Sequence, residues 1–208
     1  MRDLRDIMDD SVAEEDLPKN LLHVWQVTTW DVGLEDDILK GRRVHICFGV
    51  KHRNDGKINS HKWFFQGICK YLKPEYCLML DIGTQADEYA IMKLFAHMKA
   101  DENCGGCCGE IEVDLASNNG TIGEYLIQSA QFFEYKLGHT PDKSCESFFG
   151  FVSVLPGAYS MFRWKAIKGG PLDAFFKNVN SSEIPTCAEA NEYLAEDRIM
   201  CLQIYIKT

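Results

Sequence analysis

"YCLMLDIGTQAD" occupies residues 76–87 and runs an apolar stretch, Cys77 to Leu80, directly into Asp81 and Gly83. Bounded by Pro74 upstream and Gly83 downstream, the run reads as a strand covered on both faces, the pattern of a parallel sheet. Its last residue then emerges at the carboxyl edge. Open α/β sheets bind ligands in the crevice at that edge, so Asp81 stands where a metal, a phosphate partner or a base would be useful. The same residue also fits a plain turn aspartate capping the helix that begins near Asp87.

The pattern extends outward from this strand. "LLHVWQVTTW" (21–30) and "RRVHICFGV" (42–50) read as strands on their aromatic and β-branched content, joined through a turn at "DVGLEDD". In "KINSHKWFFQGICKYL" (57–72), Asn59 or Ser60 caps a helix whose Trp63, Phe64, Ile68 and Leu72 gather on one face, and Pro74 stops it. A second helix over 87–100 shows Ile91, Leu94, Phe95 and Met98 at the same spacing. "CCGEIEVDLA" (107–116) supplies a strand, 121–139 a long helix, 147–167 extended chain around a Pro156-Gly157 turn, and 191–206 a helix or a helix followed by a strand. The alternation of strand and helix predicts an α/β domain with a mostly parallel sheet.

The chain has 208 residues, 46% of them hydrophobic, enough for one substantial core. A net charge of −9 excludes a basic nucleic-acid surface. The nine cysteines are scattered and mostly embedded in apolar runs, the usage of buried thiols in a reducing compartment. No stretch is long and apolar enough for a membrane span or a signal peptide. Residues 1–20 read as an acidic segment of disordered character, and residues 21–208 as the folded part.

Three clusters carry candidate chemistry. Cys104 and Cys107 have CxxC spacing, but zinc takes four ligands and no second pair follows, so the surrounding glycines read better as close backbone packing. Glu134 lies among aromatics on the long helix, either as an exposed carboxylate or as a site-facing acid. Glu196, Asp197 and Arg198 stand immediately before the apolar "IMCLQIYI", as a solvated first helical turn or as a catalytic group.

Taken in order, "KINSHKWFFQGIC" (57–69), "LMLDIGT" (78–84), "CGEI" (108–111), "QFFEYKL" (131–137), "SFFGFVSVLPGAYSMFRWKAI" (147–167) and "YLAEDRIMC" (193–201) resemble the catalytic domain of chitin synthases, with weaker similarity back through "HVWQVTT". The resemblance implies a family-2, GT-A-type glycosyltransferase fold, a mostly parallel sheet with helices on both faces, incomplete here at both ends. It implies transfer of N-acetylglucosamine from UDP-GlcNAc to the 4-hydroxyl of a growing β-1,4 chitin chain, with inversion.

By the same resemblance Asp81 belongs to the DxD-like motif that holds Mg²⁺ or Mn²⁺ on the diphosphate, with Gly83 where a second aspartate would complete it. Asp197 matches the base for the acceptor hydroxyl, flanked by Glu196 and Arg198. Gln131, Glu134 and Tyr135 match the helix lining the donor and acceptor region. Pro156 and Gly157 match the loop near the saccharide, and Lys51 and Lys57 match positions beside the donor pocket. The expected uridine-binding motif, the "QRRRW"-type motif and the channel helices are not in this sequence. The resemblance therefore implies a fragment of a membrane enzyme whose catalytic part faces the cytosol at the plasma membrane. Another processive β-glycosyltransferase, or a non-catalytic binding module, are the competing readings.

Overall fold

The computed structural model describes residues 21–29, 43–52, 56–113, 121–177 and 196–207. The acidic segment 1–20 and the "DVGLEDD" turn lie outside them. The chain divides into two compact units, Met1–Ile68 and Cys69–Thr208.

In the N-terminal unit, β1 (Leu22–Thr29) and β2 (Val44–Lys51) pair antiparallel in continuous register from Leu22 opposite Lys51 to Thr29 opposite Val44. Trp25 and Phe48 face each other across the ladder with ring centroids 6.0 Å apart. The helix expected to be capped by Asn59 or Ser60 starts earlier. α1 (Gly56–Lys62) opens at Gly56, whose φ of +82° suits glycine, and the Ser60 hydroxyl bonds back to the Gly56 carbonyl instead of capping. A π-helical stretch, Trp63–Cys69, follows. Ile58 and Phe65 are buried along α1 and this stretch, and of the residues that follow at the start of the C-terminal unit Cys69 is buried and Leu72 exposed.

In the C-terminal unit, α2 (Lys70–Leu72) ends at Lys73, which takes the left-handed conformation just before Pro74. β3 (Tyr76–Leu80), β4 (Gly106–Cys108) and β5 (Tyr159–Arg163) form a sheet in the order β3-β5-β4. Both pairings are antiparallel, which corrects the expectation of a mostly parallel sheet for the described residues. Burial on both faces misled that reading. β5 is buried along four successive residues, and β3 buries Cys77 and Met79 on one face while Leu78 packs on the other. An antiparallel partner flanked by helices covers a strand as fully as a parallel one does. Because β3 and β4 each run against β5, the two point in the same direction.

α3 (Ala90–Ala100) lays Leu94 and Met98, one turn apart, over Tyr159 and Met161 to form the core, with Tyr76, Phe95 and Cys107 at its margin. Ile91, placed on that face by spacing, is exposed. β4 is shorter than the strand expected over 107–116, ending where the Gly109 backbone passes against the Tyr159 ring. α4 (Ile122–Leu137) is fixed at its start by a capping box between Thr121 and Glu124. It runs through a π-helical stretch, Gly138–Lys143, into α5 (Ser144–Phe148), so part of the stretch expected to be extended is helical. α6 (Trp164–Ile167) and α7 (Gly170–Phe175) follow β5, and α8 (Glu196–Lys207) packs on α6 and α7. Lys207 donates to the carbonyls of Lys165, Ala166 and Lys168, supplying the cation that a helix C-terminus favours.

Candidate active site

The reversal between Leu155 and Tyr159 organises the site. The Tyr159 N–H and the Ser160 hydroxyl both donate to the Pro156 carbonyl, closing a turn at the mouth of β5. Ser160 is fully buried. Two aspartates meet this turn from different elements. Asp81, one residue beyond β3, is half-buried and extends the strand ladder by donating its N–H to the Ala158 carbonyl at 3.1 Å. Its own carbonyl accepts the Thr84 N–H at 3.1 Å, and the intervening chain turns through Gly83 at φ +93°, a conformation only glycine adopts without strain. Asp197, in the first turn of α8, accepts the Gly157 N–H on Oδ2 at 2.9 Å. A Cβ on Gly157 would lie 3.3 and 3.4 Å from the two Asp197 oxygens and 3.5 Å from Met79 Cε. The small residue is what lets the carboxylate sit against the turn.

Asp81, Pro156, Gly157 and Asp197 are thus drawn together, and Gly83 follows Asp81 in the adjoining turn. Arg198 is exposed; the Glu146 carboxyl is held below its ordinary value chiefly by hydrogen bonding from Ser153, with smaller contributions from the charges of Lys143 and Arg198. Glu196 opens α8. Gln131, Glu134 and Tyr135 lie exposed on α4. That helix is tied to the segment after β4 by Lys136, which pairs with Glu110 at 2.7 Å and with Glu112. Its ammonium lowers the Glu110 pKa, chiefly through the hydrogen bond. Lys51 and Lys57 belong to the N-terminal unit, where Lys51 Nζ donates to the Gly56 carbonyl at 2.8 Å.

The sequence reading missed two side chains at the turn. Ser160 closes it, and Cys201 Sγ accepts the Leu155 N–H at 3.2 Å. The signal was available for Cys201, which stands one helical turn after Asp197 and so on the same face of α8. Burial pushes the Cys201 thiol up to about 11, the state in which it keeps its proton and acts as a neutral acceptor.

Among the described residues no three His, Cys, Asp or Glu side chains gather as a metal site. Cys104, Cys107 and Cys108 line a cavity of about 810 Å³ with His97, His139 and Lys143. The glycines serve close packing: a Cβ on Gly106 would meet Leu155 at 2.7 Å and one on Gly109 the Tyr159 ring at 2.0 Å.

Among the described residues no helix is long and apolar enough to cross a membrane. Residues 6–208 match the chitin synthase-like glycosyltransferase domain. Chitin synthase 2 of Mycosarcoma maydis is 42% identical over 167 residues, 79% of this chain and 16% of that protein. Chitin synthase 1 of Fusarium oxysporum f. sp. lycopersici is 38% identical over 200 residues, 89% of this chain and 22% of that protein. Chitin synthase 1 of Phytophthora sojae is 39% identical over 162 residues, 77% of this chain and 17% of that protein. The chain therefore spans less than a quarter of the length of these relatives. With the match covering nearly all of its sequence, the chain belongs to the chitin synthase-like glycosyltransferase domain family.

Proposed function

We propose that this chain carries the transfer centre of a chitin synthase: N-acetylglucosamine passes from UDP-GlcNAc to the 4-hydroxyl of a β-1,4 chitin chain with inversion at the anomeric carbon. One observation carries the reading. Asp81 and Asp197, distant in sequence, are joined to the same turn, the first through Ala158 and the second through Gly157.

Asp197 is the general base. With Oδ2 holding the Gly157 N–H, Oδ1 takes the proton of the acceptor hydroxyl as its oxygen bonds to the anomeric carbon and the bond to the diphosphate breaks. Glu196 and Arg198 flank it, and Gln131, Glu134, Tyr135, Pro156 and Gly157 line the sugar-binding side. Asp81 and Gly83 serve the donor side. A hard cation is commonly held by one or two carboxylates with phosphate oxygens and water completing its shell, so Asp81 fits Mg²⁺ or Mn²⁺ that arrives with the nucleotide. When bound, that ion neutralises charge on the departing diphosphate.

The finer GT-A arrangement belongs to the same proposal, supported by β3 and β4 pointing alike on either side of the reversed β5. Free thiols, with Cys69, Cys77 and Cys201 buried, fit a domain on the cytosolic face of a membrane enzyme.

The test is incubation with labelled UDP-GlcNAc and Mg²⁺ or Mn²⁺ in a preparation that forms polymer. The expected product is insoluble and degraded by chitinase. Incorporation only from a different nucleotide sugar, or a polymer resistant to chitinase, would move the chain to another processive glycosyltransferase activity. UDP-GlcNAc binding without any transfer would make it a binding module.

A further inference from the structure

We infer that Cys201 and Ser160 are positioning residues for the Asp197 carboxylate, an inference that rests on Asp197 being the base. The argument starts from what a base on a helix requires. Its carboxylate must be held within a fraction of an ångström of the productive geometry, because a displacement of about 1 Å can cost on the order of a hundred-fold in rate. Asp197 is only half-buried and stands in the first turn of α8, so its own helix does not fix it. The turn fixes it, through one N–H donated by Gly157.

That N–H is useful only if the turn is held in place. Two groups do this from opposite ends. Cys201, one turn along the same face of α8, accepts the Leu155 N–H at 3.2 Å, so α8 grips the strand entry at the amides of two alternate residues, Leu155 and Gly157. Ser160, fully buried in β5, donates its hydroxyl to the Pro156 carbonyl and closes the loop between those two grips. Leu155 is itself buried and Cys201 is 4% exposed, so the bond between them is not exchanged readily for one to water. The result is a two-point clamp of the Leu155–Gly157 backbone on α8, with the base at one point and a neutral thiol at the other. Neither Cys201 nor Ser160 touches the reacting atoms.

The inference has two readouts. Cys201→Ala removes the acceptor, and amide hydrogen exchange resolved to single residues should then accelerate at Leu155 and, through the released turn, at Gly157, by at least tenfold each. Ser160→Ala should accelerate Gly157 in the same way. In a preparation that synthesises polymer, Cys201→Ala should lower kcat by about tenfold to a hundredfold while the KM for donor changes less than twofold. Cys201→Ser, which keeps an acceptor on a shorter side chain, should recover part of both effects.

Three results separate the ways of being wrong. Unchanged exchange at Leu155 and Gly157 in folded Cys201→Ala overturns the clamp. Faster exchange with unchanged kcat, where Asp197→Asn is inactive, overturns its role in positioning the base. Normal synthesis by Asp197→Asn overturns the assignment of the base, whatever Cys201→Ala does. If Cys201→Ala fails to fold, Cys201→Val, which fills the position without an acceptor, carries the exchange test at Leu155, and Ser160→Ala carries it at Gly157.

Discussion

At the scale of single residues, space decides what each position tolerates. Gly109 and Gly138 make the contrast measurable, since both are glycines at the ends of elements but only one is enclosed. A Cβ at Gly109 would lie 2.0 Å from the Tyr159 ring, and Tyr159 is buried in the core. Gly109→Ala should destabilise the chain by roughly 1–3 kcal/mol, the cost of overpacking a filled interior. Gly138 has helical dihedrals, φ −63° and ψ −32°, and a Cβ there meets nothing within 4 Å. Gly138→Ala should stabilise by about 0.5–1 kcal/mol. Urea unfolding of the two variants checks both signs, and a Gly109→Ala chain as stable as the parent would contradict the packing. The sequence pointed to close backbone approach in "NCGGCCGEI", since runs of glycine have few other reasons to exist beside a strand. It could not name Tyr159 as the neighbour, because that contact crosses fifty residues of chain.

At the scale of elements, Arg163 ties the C-terminal unit together. Its Nη2 donates to the carbonyls of Met98 and Asp101 at 2.6 and 3.0 Å, its Nε to Cys104 at 3.1 Å and its Nη1 to the Tyr76 hydroxyl at 3.2 Å. The guanidinium also stacks over the Tyr76 ring at 5.1 Å. One side chain thus satisfies the end of α3, the entry to β4 and the start of β3. Arg163→Ala should cost roughly 2–3 kcal/mol, the worth of one or two charge-assisted hydrogen bonds after water competes for the rest. Arg163→Lys should recover only part of it, because a point ammonium cannot span the acceptors of a planar fork. Thermal or urea melts would measure both, and equal stability of the lysine variant and the parent would contradict this geometry.

The helices and strands around Arg163 were legible from apolar spacing and turn residues, both of which act locally. Three features were not. α1 starts at Gly56 rather than at a capping side chain, and the shift of the apolar face coincides with a π-helical stretch that no residue type announces. The direction of β5 relative to β3 depends on tertiary pairing, and burial on both faces leaves it open. α6 lies within the stretch expected to be extended, 147–167, and α5 overlaps its start at Ser147 and Phe148.

For the molecule as a whole, the acidic charge and the scattered cysteines bound the possibilities, and the motifs select among them. Asp81 and Asp197 were singled out by the motifs that carry the resemblance, since an aspartate at a strand end or a helix start is by itself ordinary turn or capping chemistry. Cys201 and Ser160 were not, because a group that holds a backbone amide leaves no mark beyond an ordinary apolar or strand position. The central claim is that Asp197 takes the acceptor proton while Asp81 serves the donor side. The most direct measurement is the rate of N-acetylglucosamine incorporation by Asp197→Asn, alongside its donor affinity and its circular dichroism. General-base assistance contributes about a hundred-fold to ten-thousand-fold, so synthesis should fall by at least a hundred-fold with donor affinity and fold retained. Near-parental synthesis by a folded Asp197→Asn chain would contradict the account and return Glu196, Asp197 and Arg198 to the charged first turn of a helix.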